Sequence, residues 1–129
     1  MRKLITFTLL FILTALMLPA CQTATDPAAR AVEDYLNALV NKDGDTLAAI
    51  SCADWESNAL LELDSLQAVE TRLEGLTCTT SGTEDASTQV TCQGKILATY
   101  NNEDQELDLS VRTYDVIKQG SDYLVCGYK

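Results

Sequence analysis

The hydrophobic period of this chain changes once, at Gly75, and that change restricts the fold more than any other feature. Before Gly75 apolar residues recur at three- and four-residue steps, and after it they recur at every second position among dense β-branched residues. A helical half followed by a strand half specifies an α+β domain, with helices packed on one face of an antiparallel sheet.

Asp26-Pro27 is a helix start, an N-cap followed by proline in the first turn, and Val32, Tyr35, Leu36, Leu39 and Val40 then form one apolar stripe. Gly44 ends this helix. Asp45 is placed to cap a short second helix in which Leu47 and Ile50 share a face, closing near Cys52. Asp54 is placed to cap a third. There Leu60, Leu63, Leu66, Val69 and Leu73 face inward, Glu56, Glu62, Asp64, Glu70 and Glu74 face outward, and Gly75 is the stop.

Beyond Gly75, Leu76 to Thr80 leads into "STQVTCQGKILATY", residues 87 to 100. This segment puts Val90, Cys92, Gly94, Ile96, Ala98 and Tyr100 on one face of a long half-buried strand. "NNEDQ", residues 101 to 105, reads as a turn, after which Leu107, Leu109 and Val111 resume the alternation. Tyr114 and Val116 fall one place out of phase, so a bulge near Arg112 or Thr113 is expected. "KQGSD" is the next turn, before a last strand from Tyr123 to Tyr128. The strand half is therefore a four-stranded antiparallel meander.

The first twenty residues have the three parts of a secretory signal. Arg2 and Lys3 form the positive start, Leu4 to Leu18 contributes twelve apolar residues out of fifteen, and small Ala20 closes it. Fifteen residues fall short of the ~20 that a helix needs to cross a bilayer. Leu18-Pro19-Ala20-Cys21 resembles the lipobox of bacterial lipoproteins. That resemblance implies cleavage after Ala20 and a diacylglyceryl group on Cys21, with the protein held on the extracytoplasmic side of a cell-envelope membrane. The rival reading is an ordinary signal that leaves Cys21 as a fifth thiol. The chain so divides into residues 1 to 20 as signal, 21 to 26 as lipidated cysteine and tether, and 27 to 129 as the domain.

Lipidation also settles an odd cysteine count, since five is an awkward number for an exported chain. Cys52, Cys78, Cys92 and Cys126 remain, and in an oxidising compartment they form two disulfides by one of three pairings. Zinc is the competing use of four cysteines, but their intervals of 26, 14 and 34 residues contain no CxxC and the chain has no histidine. "KDGD", residues 42 to 45, offers only two carboxylates where a calcium loop needs more. Neither a metal nor a cofactor is expected.

Loss of residues 1 to 20 removes Arg2 and Lys3 and no acid, which takes the formal charge from −10 to −12. A domain so acidic is repelled by nucleic acid and by an anionic bilayer surface. Nucleic acid is therefore not an expected partner, and five tether residues give a reach of at most about 17 Å from the lipid. The mature 109 residues suffice for one domain with one modest core.

The opening amphipathic helix "ARAVEDYLNALVNKDGDTLAAI", the helices-then-meander order and the last strand "SDYLVCGY" resemble the nuclear transport factor 2 family, also called SnoaL-like, among the cystatin-like folds. The resemblance implies a curved four-stranded sheet wrapped round the N-terminal helices as a cone whose mouth holds a cavity. The early strand common in that family is missing here or is confined to Ala53 to Trp55. The same fold implies a disulfide pairing: a turn centred near Asp85 places Cys78 opposite Cys92, and Cys52 then joins Cys126.

Relatives in that family use aspartate, histidine, tyrosine or arginine for proton transfer. Residues of those types here are Asp54, Tyr100, Tyr114, Arg112 and Asp115, but each has an ordinary structural reading as a cap, sheet core or polar strand face, and no catalytic residue is assigned. Tyr35, Trp55, Tyr100 and Tyr114 are the expected pocket lining. The expected function is a membrane-anchored module for a small apolar ligand or an envelope protein partner. A cavity enzyme of isomerase or dehydratase type and a plain spacer are the alternatives.

Overall fold

The computed structural model describes residues 25–129, so the signal segment and Cys21 lie outside the described residues. Three helices come first, α1 (Pro27–Val40), α2 (Gly44–Ala49) and α3 (Ala53–Ser65). Strands β1 (Glu70–Glu84), β2 (Ser87–Tyr100), β3 (Glu103–Asp108), β4 (Thr113–Gln119) and β5 (Asp122–Tyr128) follow, with one 3-10 turn at Leu109–Val111. All strand pairings are antiparallel. The result is the α+β architecture of helices on a curved sheet.

Helix α1 starts where Asp26 accepts a hydrogen bond from the Ala28 amide at 2.9 Å, with Pro27 in the first turn. Its stripe of Val32, Tyr35, Leu36 and Leu39 is wholly buried, each side chain worth roughly 1.5–3 kcal/mol of transfer from water. Polar contacts pin it along β1. Asp26 takes the Thr80 hydroxyl, Glu33 takes the Cys78 amide, and the Val40 carbonyl takes the Thr71 hydroxyl.

The helix signals hold in kind but shift in place. The chain turns at Asn41 and at Lys42, which adopts φ 58°, before Gly44 is reached. The cap of α2 is Asp43 rather than Asp45, accepting from the amide and the hydroxyl of Thr46. Cys52 occupies the N-cap of α3, and Asp54 lies in the first turn instead of capping it. No strand forms at Ala53 to Trp55. A single bridge joins Ser51 to Val125, flanked by hydrogen bonds from the Cys52 amide to Val125 and from the Val125 amide to Ile50.

The larger correction is the end of α3. The helix stops at Ser65, and Glu70 to Glu74, expected to continue it, pair with β2 from Thr99 to Lys95. Thr71 and Leu73 give up helical periodicity for a ladder along the whole length of β2, because the long exposed edge of β2 offers five more strand pairs. Gly75 is therefore no helix stop. It forms a bulge in β1 at φ 65°, directly across from Gly94 at φ 103°. A Cβ at Gly94 would lie 2.5 Å from the Glu74 carbonyl oxygen, so only glycine admits this approach of the two backbones.

The expected third strand is split in two, which makes the sheet five-stranded. Its first half, β3, pairs with Lys95 to Tyr100, and its second, β4, pairs with Thr88 to Thr91. Between them the chain has one residue more than β2, and it absorbs the excess in the 3-10 turn rather than in a bulge at Arg112 or Thr113. Asp108 caps this turn through the Ser110 amide, and Leu109 is driven fully into the core. The bend at this point gives the sheet a concave face.

Disulfides join Cys78 to Cys92 across β1 and β2, and Cys52 to Cys126 between the start of α3 and β5. Their Cα atoms are 4.0 and 4.9 Å apart. Among the described residues no helix is long and apolar enough to cross a membrane.

Candidate functional site

A cleft of about 320 Å³ opens between the C-terminal half of α3 and the concave end of the sheet. Leu66, Ile96, Ala98 and Leu107 form its apolar walls, Ser65, Gln105 and Glu106 its polar margin, and Glu62 with Arg112 line it as an ion pair. A hollow of about 580 Å³ lies at the bulged edge of the sheet, where Glu74, Lys95, Glu106 and Asp108 surround the two glycines. Lys95 pairs there with Glu74 and Glu106, and no apolar side chain lines the trough, unlike a small-molecule site.

Glu62 reaches the cleft because α3 carries Trp55, Ala59, Glu62 and Leu66 at steps of four, three and four, a single inward stripe. This corrects its expected outward placement. Arg112 reaches the same point from the end of the 3-10 turn. Its Nη1 donates to Glu62 Oε1 at 3.0 Å, and the two side chains retain only 15% and 17% exposure. The Tyr128 hydroxyl donates to the same oxygen at 3.3 Å, and the guanidinium carbon stands 4.1 Å above the Tyr128 ring.

Behind the ion pair lies an aromatic wall. Trp55 Nε1 donates to the Tyr35 hydroxyl at 3.1 Å, and that hydroxyl is directed at Glu62 Oε2 across 3.5 Å. Tyr35 and Tyr114 meet edge to face, Tyr114 and Tyr128 are tilted together, and Trp55 packs on Tyr128. The Trp55 indole also covers Gly127, where a Cβ would come within 3.4 Å of the ring.

Electrostatics follow from this burial. Desolvation pushes the Tyr114 phenol up to about 12 and outweighs the lowering by adjacent Arg112. Desolvation raises Tyr35 as well, against the Trp55 hydrogen bond and with the Glu62 charge adding to it. Burial and then the Glu62 charge lift Tyr128. For Arg112 desolvation is the largest effect and acts downward, but the Tyr114 and Glu62 oxygens together hold the guanidinium above its ordinary value. Proximity of Tyr114 to that charge does not amount to a hydrogen bond. Its hydroxyl is buried without a partner of acceptable geometry, the one such side-chain atom among the described residues.

Of the expected pocket residues, Tyr35, Trp55 and Tyr114 are brought together as this wall, behind the lining rather than in it. Tyr100 is not among them. It sits at the β2–β3 hairpin, 61% exposed, beside Asn101 and Asn102 in their left-handed turn. Asp54 is exposed on α3, and Asp115 faces Gln89 across β2 and β4. Glu62, Tyr128 and Leu66 complete the site. Glu62 could have been found from its step of seven from Trp55.

No protein-family model matches the sequence, and no curated protein sequence matches it. Solved structures do resemble it in fold. Aln2 from a Streptomyces species superposes with a TM-score of 0.56 at 8% identity, over 79% of this chain and 85% of that one. Bd1075 of Bdellovibrio bacteriovorus gives 0.52 at 12% identity, over 78% of this chain and 38% of that one. The helical cell shape determining protein Pgp2 from Campylobacter jejuni gives 0.51 at 9%, over 77% and 38%. At these identities the likeness is one of fold. The described domain is an α+β fold of three helices packed on an open five-stranded antiparallel sheet, consistent with the nuclear transport factor 2-like cone.

Proposed function

We propose that this chain is a ligand-binding domain whose cone mouth holds a small amphipathic molecule, and that Cys21 tethers it by lipid to the extracytoplasmic side of an envelope membrane. The observation that carries the binding reading is the cleft itself. Four apolar side chains wall a concavity that closes on one ion pair, the combination of apolar surface and few convergent polar groups that small-molecule sites share. Binding is favoured over carboxylate catalysis because Glu62 is already engaged. One oxygen accepts from Arg112 and Tyr128, and the other faces Tyr35.

The tether rests on the lipobox-like Leu18-Pro19-Ala20-Cys21 and on the pairing of the other four cysteines, which leaves Cys21 alone without a cystine role. Native mass spectrometry of the full chain, expressed in a lipoprotein-processing bacterium and extracted in detergent, tests both parts. The expected spectrum contains a diacylglyceryl-modified Cys21 as first residue and a stoichiometric small molecule released on denaturation. An unmodified N-terminus elsewhere removes the tether, and a domain with nothing bound under any extraction removes the ligand.

A further inference from the structure

Strand β3 pairs with β2 along one side, and among the described residues no hydrogen bond from any other element reaches its backbone. The outer strands elsewhere are engaged: Glu33 takes the Cys78 amide of β1, and Ile50 and Cys52 bond to Val125 of β5. The far side of β3 is an open edge, and such an edge is a template for another extended chain.

The exposed apolar surface gathers at the same place. Tyr100, Leu61, Leu107 and Val111 are the exposed large hydrophobic side chains among the described residues. Tyr100 faces Glu103 at the first end of β3, Leu107 lies on β3, and Val111 follows in the 3-10 turn beyond its other end. Leu61 stands one turn before Ser65, on the side of α3 that lines the cleft. Gln105 and Leu107 pair with Ala98 and Ile96, so the inner face of β3 is a wall of that cleft, and a strand added at the edge extends it. An apolar patch beside an unpaired edge marks an interaction surface.

Charge selects the partner. Asp104, Glu106 and Asp108 alternate along the outer face of β3, and with neighbouring Glu74 and Glu103 they make five carboxylates against two cations, Arg72 and Lys95. A second copy of β3 is repelled, because each copy brings four carboxylates to the pairing. A basic strand meets the opposite sign, and the same carboxylates that exclude the copy attract it.

We propose that β3 accepts an extended segment of another protein as a further strand, one that alternates basic and apolar residues. Its basic side chains lie along Asp104, Glu106 and Asp108, and its apolar side chains cover Leu107 and the cleft mouth between Tyr100 and Val111. This interaction surface is independent of the ligand-binding reading and of the lipid tether.

Three capped six-residue peptides test it: alternating lysine and valine, alternating glutamate and valine, and the lysine–valine peptide with every amide nitrogen methylated. Each is titrated into the full-length protein in a neutral detergent, with amide hydrogen exchange across residues 103–108 as the reporter. The lysine–valine peptide is expected to bind at least about tenfold more tightly than either of the others and to slow exchange of the outward amides of β3 about tenfold near saturation. Glu106→Lys should weaken that peptide about fivefold and strengthen the glutamate one, whereas Asp122→Lys at the start of β5, an equal change of net charge, should leave both near their original affinities. Absence of lysine–valine binding, or equal binding of the lysine and glutamate peptides, would overturn the proposal. Undiminished binding of the methylated peptide would show that no ladder forms, and equal effects of the two substitutions would reduce the contact to diffuse attraction. Self-association of the free protein with protection of β3 would instead assign the edge to a second copy.

Discussion

At the residue scale the Glu62–Arg112 pair decides both the floor of the cleft and part of the stability. Each charge is nearly out of water, so removing one leaves the other desolvated and without its counter-charge. Glu62→Gln is expected to cost about 2 kcal/mol in urea denaturation, less than the loss of a wholly buried partner because some exposure remains. Glu56→Gln, one turn and a half earlier on the exposed face of α3, should leave the midpoint in place. Equal effects of the two would mean that the ion pair contributes nothing beyond a surface charge. Gly94 offers a sharper contrast with Gly82. Gly94→Ala forces a Cβ to within 2.5 Å of the Glu74 carbonyl at φ 103° and should cost more than about 2 kcal/mol, whereas Gly82→Ala meets nothing within 4 Å. A tolerated Gly94→Ala would show that the β1 bulge relaxes freely.

Among elements, the two cystines hold different things. Cys78–Cys92 closes a hairpin already paired along its length, with a sequence separation of 14, whereas Cys52–Cys126 ties α3 to β5 across a separation of 74. On the loop-entropy model the long closure contributes about 4.5 kcal/mol and the short one about 3. Paired replacement by alanine should therefore lower the melting temperature more for Cys52 and Cys126 than for Cys78 and Cys92. The reverse order would mean that core packing of the short cystine outweighs loop closure, since Cys92 is wholly buried. Elements were also the scale at which the sequence misled. The stretch from Leu66 to Leu73 keeps a helical spacing of apolar residues, yet its last four residues pair with β2. Local pattern cannot register that a strand thirty positions ahead will offer an unpaired edge.

For the whole molecule, stability against pH should form a plateau with two edges. Hydrogen bonds from Thr46, Thr99, Ser110 and Lys129 hold Asp43, Asp104, Asp108 and Glu84 below ordinary carboxylate values. A lowered folded value means that the contribution is full above the ordinary range and disappears as the pH falls through the lower one, so the acid edge lies below about pH 4.5. These groups are exposed, and the edge should be shallow. Burial raises Tyr35 and Tyr114, so their contribution is full below about pH 10, where unfolded tyrosine keeps its proton, and disappears above it. Urea midpoints measured from acid to alkali should stay flat between roughly pH 5 and pH 10. A midpoint falling steadily across neutrality would mean that some other group titrates with folding.

The sequence alone determined the class of fold, the order of its parts and the inward stripe of α1, because each follows from local spacing: a period of 3.6, a period of 2, a cap, a proline. It carried the alternating face of β2 as far as Ile96 and the number of cysteines left to pair. What only the tertiary structure decided is the site. Glu62, Arg112 and Tyr128 are 50 and 16 residues apart along the chain, and each alone reads as a surface charge or a strand aromatic. They meet because the 3-10 turn at Leu109–Val111 bends the sheet over α3, and a bend of that kind depends on the one-residue mismatch between two distant strand pairings. Periodicity records which face of an element is buried. It does not record which buried faces come together.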